Sequence, residues 1–317
     1  MEEEGTTATM KEEQQQEAER KRLKKLAKKE RKAKLKADRK LKGHNGPSAE
    51  ECVPPEAALS LEHWTSLQVI QTEHISPDTK LLRFALPSPD KSLGLPEVSC
   101  VVVRAPESHV AQSGRGPFKD RPYSPTSTHR DKGYFDLIVK TYEEGKVSSY
   151  LYSVNEGDHV DLKARKCKFL YRPNNPAAKK LILIAGGTGI APMFQIIKEI
   201  ASNPDDETKA VLLFSNKTEE DILLRKELDH FAALRPDHFQ PIYTLTRDAP
   251  EGWTGERGRV DASMVARHCP PATEEGVLVM VCGPSGFYKH VCGKRREEGI
   301  TGVLGELGYR PAQVFKF

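Results

Sequence analysis

No stretch of the 317-residue sequence approaches the roughly 18 consecutive apolar residues that a bilayer-spanning helix requires. The opening Met1-Glu2-Glu3 is acidic and has no glycine at position two. That disfavours a mitochondrial transit peptide and removes N-myristoylation. No aromatic residue precedes Trp64, so the first 60 residues carry no platform for stacking on bases. Six cysteines are scattered at Cys52, Cys100, Cys167, Cys269, Cys282 and Cys292, and none forms a CxxC pair. A zinc site is therefore not expected, and no metal is assigned. With no signal peptide, the six read as reduced thiols in a cytoplasmic compartment. No internal repeat is present.

Charge is present but unevenly spread. The formal net charge is +4. Residues 1–18 carry six Glu against one Lys, whereas 19–44 carry fourteen Lys or Arg against three acids. The basic character therefore belongs to an N-terminal arm, and the body is near neutral. From Lys11 to Lys42 the residues are good helix formers, but they offer too little apolar surface to build a core. The expectation for residues 1–60 is a charged arm, disordered or transiently helical, followed by a loose linker from Gly43 to Pro55. Residues 19–44 could touch anionic lipid peripherally, at about 1 kcal/mol per basic residue. Nucleic-acid phosphates and a nuclear import receptor are the other candidates. A solvated tail is the plainest reading, and no nucleic-acid partner is expected.

Between 61 and 176 the pattern becomes short alternating segments with frequent Pro and Gly. Strands are predicted at 66–71, 79–85, 99–104, 134–141 and 159–164, a spacing that suits an antiparallel β-barrel. From 177 to 317 apolar runs at 181–185, 210–214, 239–244 and 277–281 alternate with helical patterns at 192–201, 219–231, 261–267 and 284–292. That alternation predicts a doubly wound α/β domain with buried parallel strands. Thr218, with Asp221 three residues on, is the predicted cap of the second helix.

Four segments could carry chemistry. In Arg121-Pro122-Tyr123-Ser124-Pro125-Thr126-Ser127, two prolines hold the chain extended and display Arg121, Tyr123 and Ser124 on a fixed edge. A guanidinium there suits a diphosphate, and a hydroxyl can reach a ring nitrogen. A stiff barrel turn with an exposed Arg is the plainer alternative. Gly145-Lys146-Val147-Ser148 can open a helix whose free N–H groups form an anion site, or be an ordinary capped turn. Gly186-Gly187-Thr188-Gly189-Ile190-Ala191-Pro192 follows a strand and opens a helix, the context in which missing side chains admit a dinucleotide. It is not GxGxxG, which disfavours a standard dehydrogenase fingerprint. Cys282-Gly283-Pro284 ends another parallel strand, where ligands of such sheets bind. Cys282 has no His partner that would make it a nucleophile.

Taken in order, these segments resemble the NADH–cytochrome b5 reductase family, within the ferredoxin–NADP reductase-like flavoproteins, from about Leu61 to Phe317. Asp221-Ile222-Leu223-Leu224-Arg225 and the ending Val314-Phe315-Lys316-Phe317 add to the likeness. The resemblance implies FAD on the barrel domain, 61–176, and NADH on the α/β domain, 177–317. Arg121, Pro122, Tyr123 and Ser124 would then hold the flavin. Lys140, with Val139 and Tyr142, would lie near both cofactors. Gly145, Lys146, Val147 and Ser148 would hold the FAD diphosphate. Gly187, Thr188, Gly189 and Pro192 would take the nicotinamide side, with Cys282, Gly283 and Pro284 closing over it. Ser124, Lys140 and Cys282 are the residues nearest the chemistry.

Three departures stand out, one of them Ala191, which stands where many members have Thr and the broader reductase group also uses Ala. Ser124 stands where Thr is usual and keeps the hydroxyl. Thr246 stands where NADH-preferring members often carry Asp, which leaves NADPH open as the donor. The reading is an FAD-dependent oxidoreductase and electron-transfer flavoprotein. It would pass a hydride from NADH to FAD and single electrons to cytochrome b5 or a similar haem protein. The chain is expected to be a cytoplasmic monomer, or peripheral at a membrane surface. The alternatives are a reductase with another acceptor, or a scaffold protein that reuses the fold beneath a basic binding arm.

Overall fold

A computed structural model describes Glu17, Glu19 and residues 48–112, 119–247 and 249–317. The chain divides into Met1–Gly46 and Pro47–Phe317. In the first unit Glu17 and Glu19 are helical and exposed, and the basic run of 19–44 otherwise lies outside the described residues.

The expected loose linker is, from residue 48 onward, part of the folded body. Ser48 and Glu51 form a capping box: the Glu51 N–H donates to Ser48 Oγ at 3.0 Å, and the Ser48 N–H to Glu51 Oε2 at 2.8 Å. This starts a one-turn helix, α1 (Ala49–Cys52). Leu59 then enters the barrel core, and the Ser60 carbonyl accepts the Ala164 N–H. Cys52 is disulfide-bonded to Cys167, with Cα atoms 5.3 Å apart. This corrects the expectation of six reduced thiols. A separation of 115 residues leaves no spacing signal, and only the docking of 48–60 brings the pair together.

The barrel strands are β1 (Thr65–Ser76), β2 (Thr79–Ala85), β3 (Cys100–Arg104), β4 (Asp120–Tyr123), β5 (Tyr134–Lys140) and β6 (His159–Arg165). A short helix, α2 (Glu107–Gln112), precedes β4, and α3 (Lys146–Ser153) precedes β6. The strand order is β4-β3-β6-β1-β2-β5, antiparallel throughout. Alternation sets the faces: in β6, Val160, Leu162 and Ala164 are buried and the residues between them point outward. Their core includes Val101, Leu137 and the stacked rings of Phe84 and Phe135, 5.0 Å apart. Val147 and Leu151 of α3 close it. Arg121-Pro122-Tyr123 is an edge strand rather than a turn. Pro122 sits opposite Val102, at the sheet edge where a missing N–H is tolerated.

The second sheet is parallel, in the order β10-β9-β8-β7-β11-β12. Its strands are β7 (Lys180–Gly186), β8 (Lys209–Asn216), β9 (Phe239–Leu245), β10 (Glu256–Arg257), β11 (Val277–Cys282) and β12 (Val314–Lys316). The helices are α4 (Ala191–Ser202), α5 (Arg225–Leu234), α6 (Ala262–His268), α7 (Ser285–Cys292) and α8 (Gly302–Glu306). Leu181 and Leu183 of β7 face one apolar core, while Ile182 and Ile184 face the other, as a doubly wound sheet requires. The helix predicted from 219 begins at 225. Thr218 and Asp221 do hydrogen-bond at 3.2 Å, but Leu224 takes a left-handed conformation, φ 58°, and interrupts the helix.

α4 ties the two domains together. Its Gln195, almost fully buried, accepts the Val98 N–H at 2.7 Å and donates to the Ser127 carbonyl at 3.1 Å. One turn on, Lys198 pairs with Asp131 at 2.6 Å. Arg130 donates to both oxygens of Glu199, at 3.3 and 3.2 Å, and His129 Nδ1 lies 2.7 Å from Glu97. Every one of these pairs joins α4 to, or lies among, the barrel loops 96–99 and 127–131.

Candidate functional site

A cleft of about 570 Å³ lies along this junction. Three structural devices line up its walls. Strand β4 and the turn after it present Arg121, Pro122, Tyr123 and Ser124. The turn is fixed from behind: the Thr126 N–H donates to the Asp136 carbonyl at 3.0 Å, and the Asp136 N–H to Ser127 Oγ at 2.9 Å. Ser124 is therefore held at a set position relative to β5.

The second wall is the start of α3, with Gly145, Lys146, Val147 and Ser148. No side chain caps this helix; Ser148 Oγ instead turns back to donate to the Gly145 carbonyl at 3.1 Å. A helix left uncapped at its N-terminus presents N–H groups to an anion. A Cβ at Gly145 would meet Ser148 Oγ, so glycine keeps this end of the cleft compact.

The third wall is the carboxyl end of the parallel sheet. Cys282 is in register with Ala185, so the ends of β7 and β11 lie side by side. The chain passes from β7 to β8 on one side and reaches β11 on the other, which makes this the topological switch point. Thr188, Pro192, Cys282 and Gly283 face the cleft. A Cβ at Gly189 would collide with the Cys282 carbonyl, so that glycine permits the two loops to touch. Gly187, at φ 54°, takes a conformation that favours glycine and has open space where a side chain would go.

The electrostatics refine several expectations. Lys140 reaches the cleft, but its ammonium is paired with Asp78, 2.5 Å away, and lies 4.0 Å from Asp221. It offers a hydrogen-bond donor with a compensated charge. Burial raises the Asp78 carboxyl, but bonds from Lys140, Ser76 and Thr79 outweigh it and hold the group below the usual carboxylate range. Burial pushes the Cys282 thiol up to about 11, so it is protonated at neutral pH. Burial likewise raises the Tyr123 phenol, which stays neutral.

Not every predicted residue reaches the cleft. Val139 is fully buried in the barrel core, and its neighbour Ile138, on the opposite face of β5, lines the cleft instead. Gly187 and Gly189 flank Thr188 without lining it, and Pro284 caps α7 beyond Gly283. Thr246 is exposed past the end of β9, with its N–H and hydroxyl donated to the Asn216 carbonyl at 2.9 and 3.1 Å. Tyr142 lines the outer edge. Several contributors carry no motif: Val98, Cys100, Lys119, Arg165 to Phe169, Tyr288, Arg295, Phe315 and Phe317. Of these, only the ending Val314 to Phe317 gave a signal in the sequence.

These residues fit two dinucleotides: uncapped N–H groups and cations at α3 and β4, and a side-chain-free approach at β7. Comparison with known proteins gives the same partition. Residues 66–171 match the oxidoreductase FAD-binding domain family and 183–293 the oxidoreductase NAD-binding domain family. NADH-cytochrome b5 reductase 2 of Neosartorya fischeri is 38% identical over 258 residues, covering 80% of this chain and 77% of that protein. The chain belongs to the NADH–cytochrome b5 reductase family. An NADH-cytochrome b5 reductase-like protein of Arabidopsis thaliana is 37% identical over 273 residues, covering 85% and 81%. Among solved structures, the cytochrome b5 reductase domain of Ulva prolifera nitrate reductase is similar with a TM-score of 0.71 at 31% identity, covering 82% of this chain and 99% of that one. The protein is thus an FAD- and NAD-binding oxidoreductase of this family, with the fold shared by the ferredoxin–NADP reductases. No described helix is long and apolar enough to cross a membrane.

Proposed function

We propose that this reductase takes a hydride from NADH onto FAD in the cleft and passes single electrons to a haem protein, cytochrome b5 or one like it. The observation that carries the reading is the shared lining. Arg121 to Ser124, the α3 N-terminus, Thr188 and the Cys282 loop, from both domains, border one cavity. FAD supplies the exchange of a two-electron input for one-electron outputs.

The chain's own residues bind and orient. Arg121, Lys146 and the α3 N–H groups suit a diphosphate. The neutral Tyr123 ring offers a packing face, and the Ser124 hydroxyl offers a hydrogen bond to a flavin ring. The Lys140 ammonium, restrained by Asp78, donates at the same edge. Thr188, Cys282 and Gly283 would hold the nicotinamide face, and Gly189 lets the Cys282 loop close against Thr188. Hydride transfer needs no acid or base, so contact geometry is the protein's contribution. This agrees with a protonated, unreactive Cys282. The barrel, 61–176, would carry FAD and 177–317 the nicotinamide, in a monomer, with residues 19–44 as the candidate for peripheral contact with a membrane.

NADPH is the second donor to consider, on one observation. The exposed end of β9 presents Thr246 and Arg247 and no carboxylate at either position to repel a 2′-phosphate. The deciding experiment is anaerobic reduction of the purified, full-length protein by NADH and by NADPH, followed at the flavin absorbance band. A yellow protein bleached by either donor is expected, with ferricyanide as a one-electron acceptor. A folded protein that takes up no FAD would overturn the proposal.

A further inference from the structure

We propose that Cys52–Cys167 is a reversible thiol–disulfide clamp that holds the 48–60 segment against the wall of the cleft and so sets how tightly the cleft keeps its cofactor. The inference rests on the reading that FAD occupies this cleft. Cys167 lies two residues past the end of β6, beyond the last strand pairing, in the run Arg165-Lys166-Cys167-Lys168-Phe169. All five of those residues line the cleft. The disulfide is therefore a covalent restraint on residues 166–169 of that wall, which lie beyond the last pairing of the sheet ladder at Arg165. On the other side, Cys52 ends α1, which the Ser48–Glu51 box and the exposed Glu51–Arg172 pair at 2.8 Å hold in place. Further along the segment, the Ala58 N–H donates to the Leu93 carbonyl, the Ser60 carbonyl accepts the Ala164 N–H, and Leu59 enters the barrel core. Opening the bond loosens α1 and the wall together.

Access makes the clamp sensitive to the cofactor. Cys52 is fully buried and Cys167 nearly so, but Cys167 borders the cleft. An attacking thiolate reaches the bond from the cavity, and a bound cofactor stands in its way. Linkage makes the effect reciprocal: if FAD favours the closed form, the closed form favours FAD by the same factor. The reductant is a dithiol, either a small molecule or a protein. Its thiolate attacks one sulfur and the S–S bond breaks. The dithiol leaves as its own disulfide after delivering two electrons and two protons, which leave Cys52 and Cys167 as thiols. Cys269 and Cys292 stay outside this exchange, because burial pushes their thiols up to about 12 and about 11.

The test uses the full-length, FAD-loaded protein, air-oxidised or treated with dithiothreitol. Alkylation with iodoacetamide followed by peptide mass analysis should find Cys52 and Cys167 linked in the first sample and both alkylated in the second. Reduction should speed FAD release at least about fivefold, within the usual range of coupling between linked sites. It should also lower the melting midpoint of FAD-stripped protein. Cys52→Ser and Cys167→Ser should match the reduced protein and no longer respond to dithiothreitol, whereas Cys269→Ser should respond like the parent. Free thiols after oxidation, or a linked pair whose opening changes neither FAD release nor melting, would overturn the clamp. Failure to bind FAD in either state would count against the cleft reading instead; alkylation and melting of the stripped protein would still decide the clamp.

Discussion

Gln195→Met removes the one side chain among the described residues that hydrogen-bonds both barrel loops from the α/β domain. Met conserves the volume and removes both polar atoms. Two buried backbone groups lose their partner: the Val98 N–H, held at 2.7 Å, and the Ser127 carbonyl, held at 3.1 Å. Val98 and Ser127 are 7% and 5% exposed, so water cannot replace the lost bonds without opening the junction. Each orphaned group costs roughly 1–3 kcal/mol. Because both sit on one seam, their sum is taken at about 2–4 kcal/mol. Val98 also lines the cleft and Ser127 follows the turn that presents Ser124 to it, so the same change should slow flavin reduction at saturating NADH. Urea unfolding of the FAD-loaded protein, followed by circular dichroism, gives the stability, and stopped-flow absorbance gives the rate. Gln313→Met is the control. It also removes a nearly buried amide, bonded to Ala272 at 2.9 Å and Arg310 at 3.2 Å, but away from the cleft. It should cost stability and leave the reduction rate alone. A loss below about 0.5 kcal/mol for Gln195→Met would refute the reasoning, since it would mean both groups find other partners.

Gly189→Ala should cost about 1–3 kcal/mol by overpacking against the Cys282 carbonyl, and should lower the melting midpoint and flavin reduction together. A neutral outcome would show that the loops do not touch. Asp78 has a folded pKa lowered from its ordinary 3.8, so its stabilising contribution is complete above that value and lost as pH falls through the lower folded one. Asp78→Asn should therefore flatten the acid limb of the stability–pH curve, and an unchanged limb would reject the Lys140 pairing. With its thiol at about 11, Cys282 should leave no inflection in flavin reduction between about pH 6 and 9. A clear break in that range that vanishes in Cys282→Ser would contradict its neutral state. Lys166→Glu with Lys168→Glu should weaken the salt dependence of electron transfer to an acidic haem protein, and unchanged kinetics would exclude this rim as its docking surface.

The order of domains was legible because two physical periods are written in the chain. Buried alternation in segments such as His159 to Arg165 can only serve a one-sided sheet. The unbroken apolar run Leu181 to Ala185 suits a strand covered on both faces. Gly186 to Pro192 was legible because it sits between such a strand and a helix. What stayed hidden depends on contacts between distant segments. Cys52 and Cys167 carry no common spacing, Gln195 looks like any helix glutamine, and Lys140 gives no sign that Asp78 will neutralise it. Val139 and Ile138 are equally apolar, and only the register of β5 against β2 decides which faces the core. The start of α5 was misplaced for a local reason: Thr218 and Asp221 satisfy a helix cap, but the left-handed Leu224 resets the chain three residues later.

The cleft also explains a charge distribution that the sequence totals conceal. Beyond the N-terminal arm the body is near neutral, yet its cleft is bordered by Lys119, Arg121, Lys140, Lys146, Arg165, Lys166, Lys168 and Arg295, with Glu144 as the only acidic side chain among the described residues of the lining. Gathering like charges costs free energy, and the cost is visible at Lys168, whose ammonium is pushed down by burial first and then by Arg295 and Arg165. Folding alone gains nothing from such a cluster. An anion entering the cleft gains from it, least at Lys140, which Asp78 already compensates, and most at the α3 end, where helix N–H groups add to the side chains. Arg165, Lys168 and Arg295 lie close enough to act on one another and none belongs to α3, so a diphosphate seated at α3 would leave them unengaged. On the proposed function, one set of charges in the cleft would hold the cofactors and a second set would be left for an acidic electron acceptor.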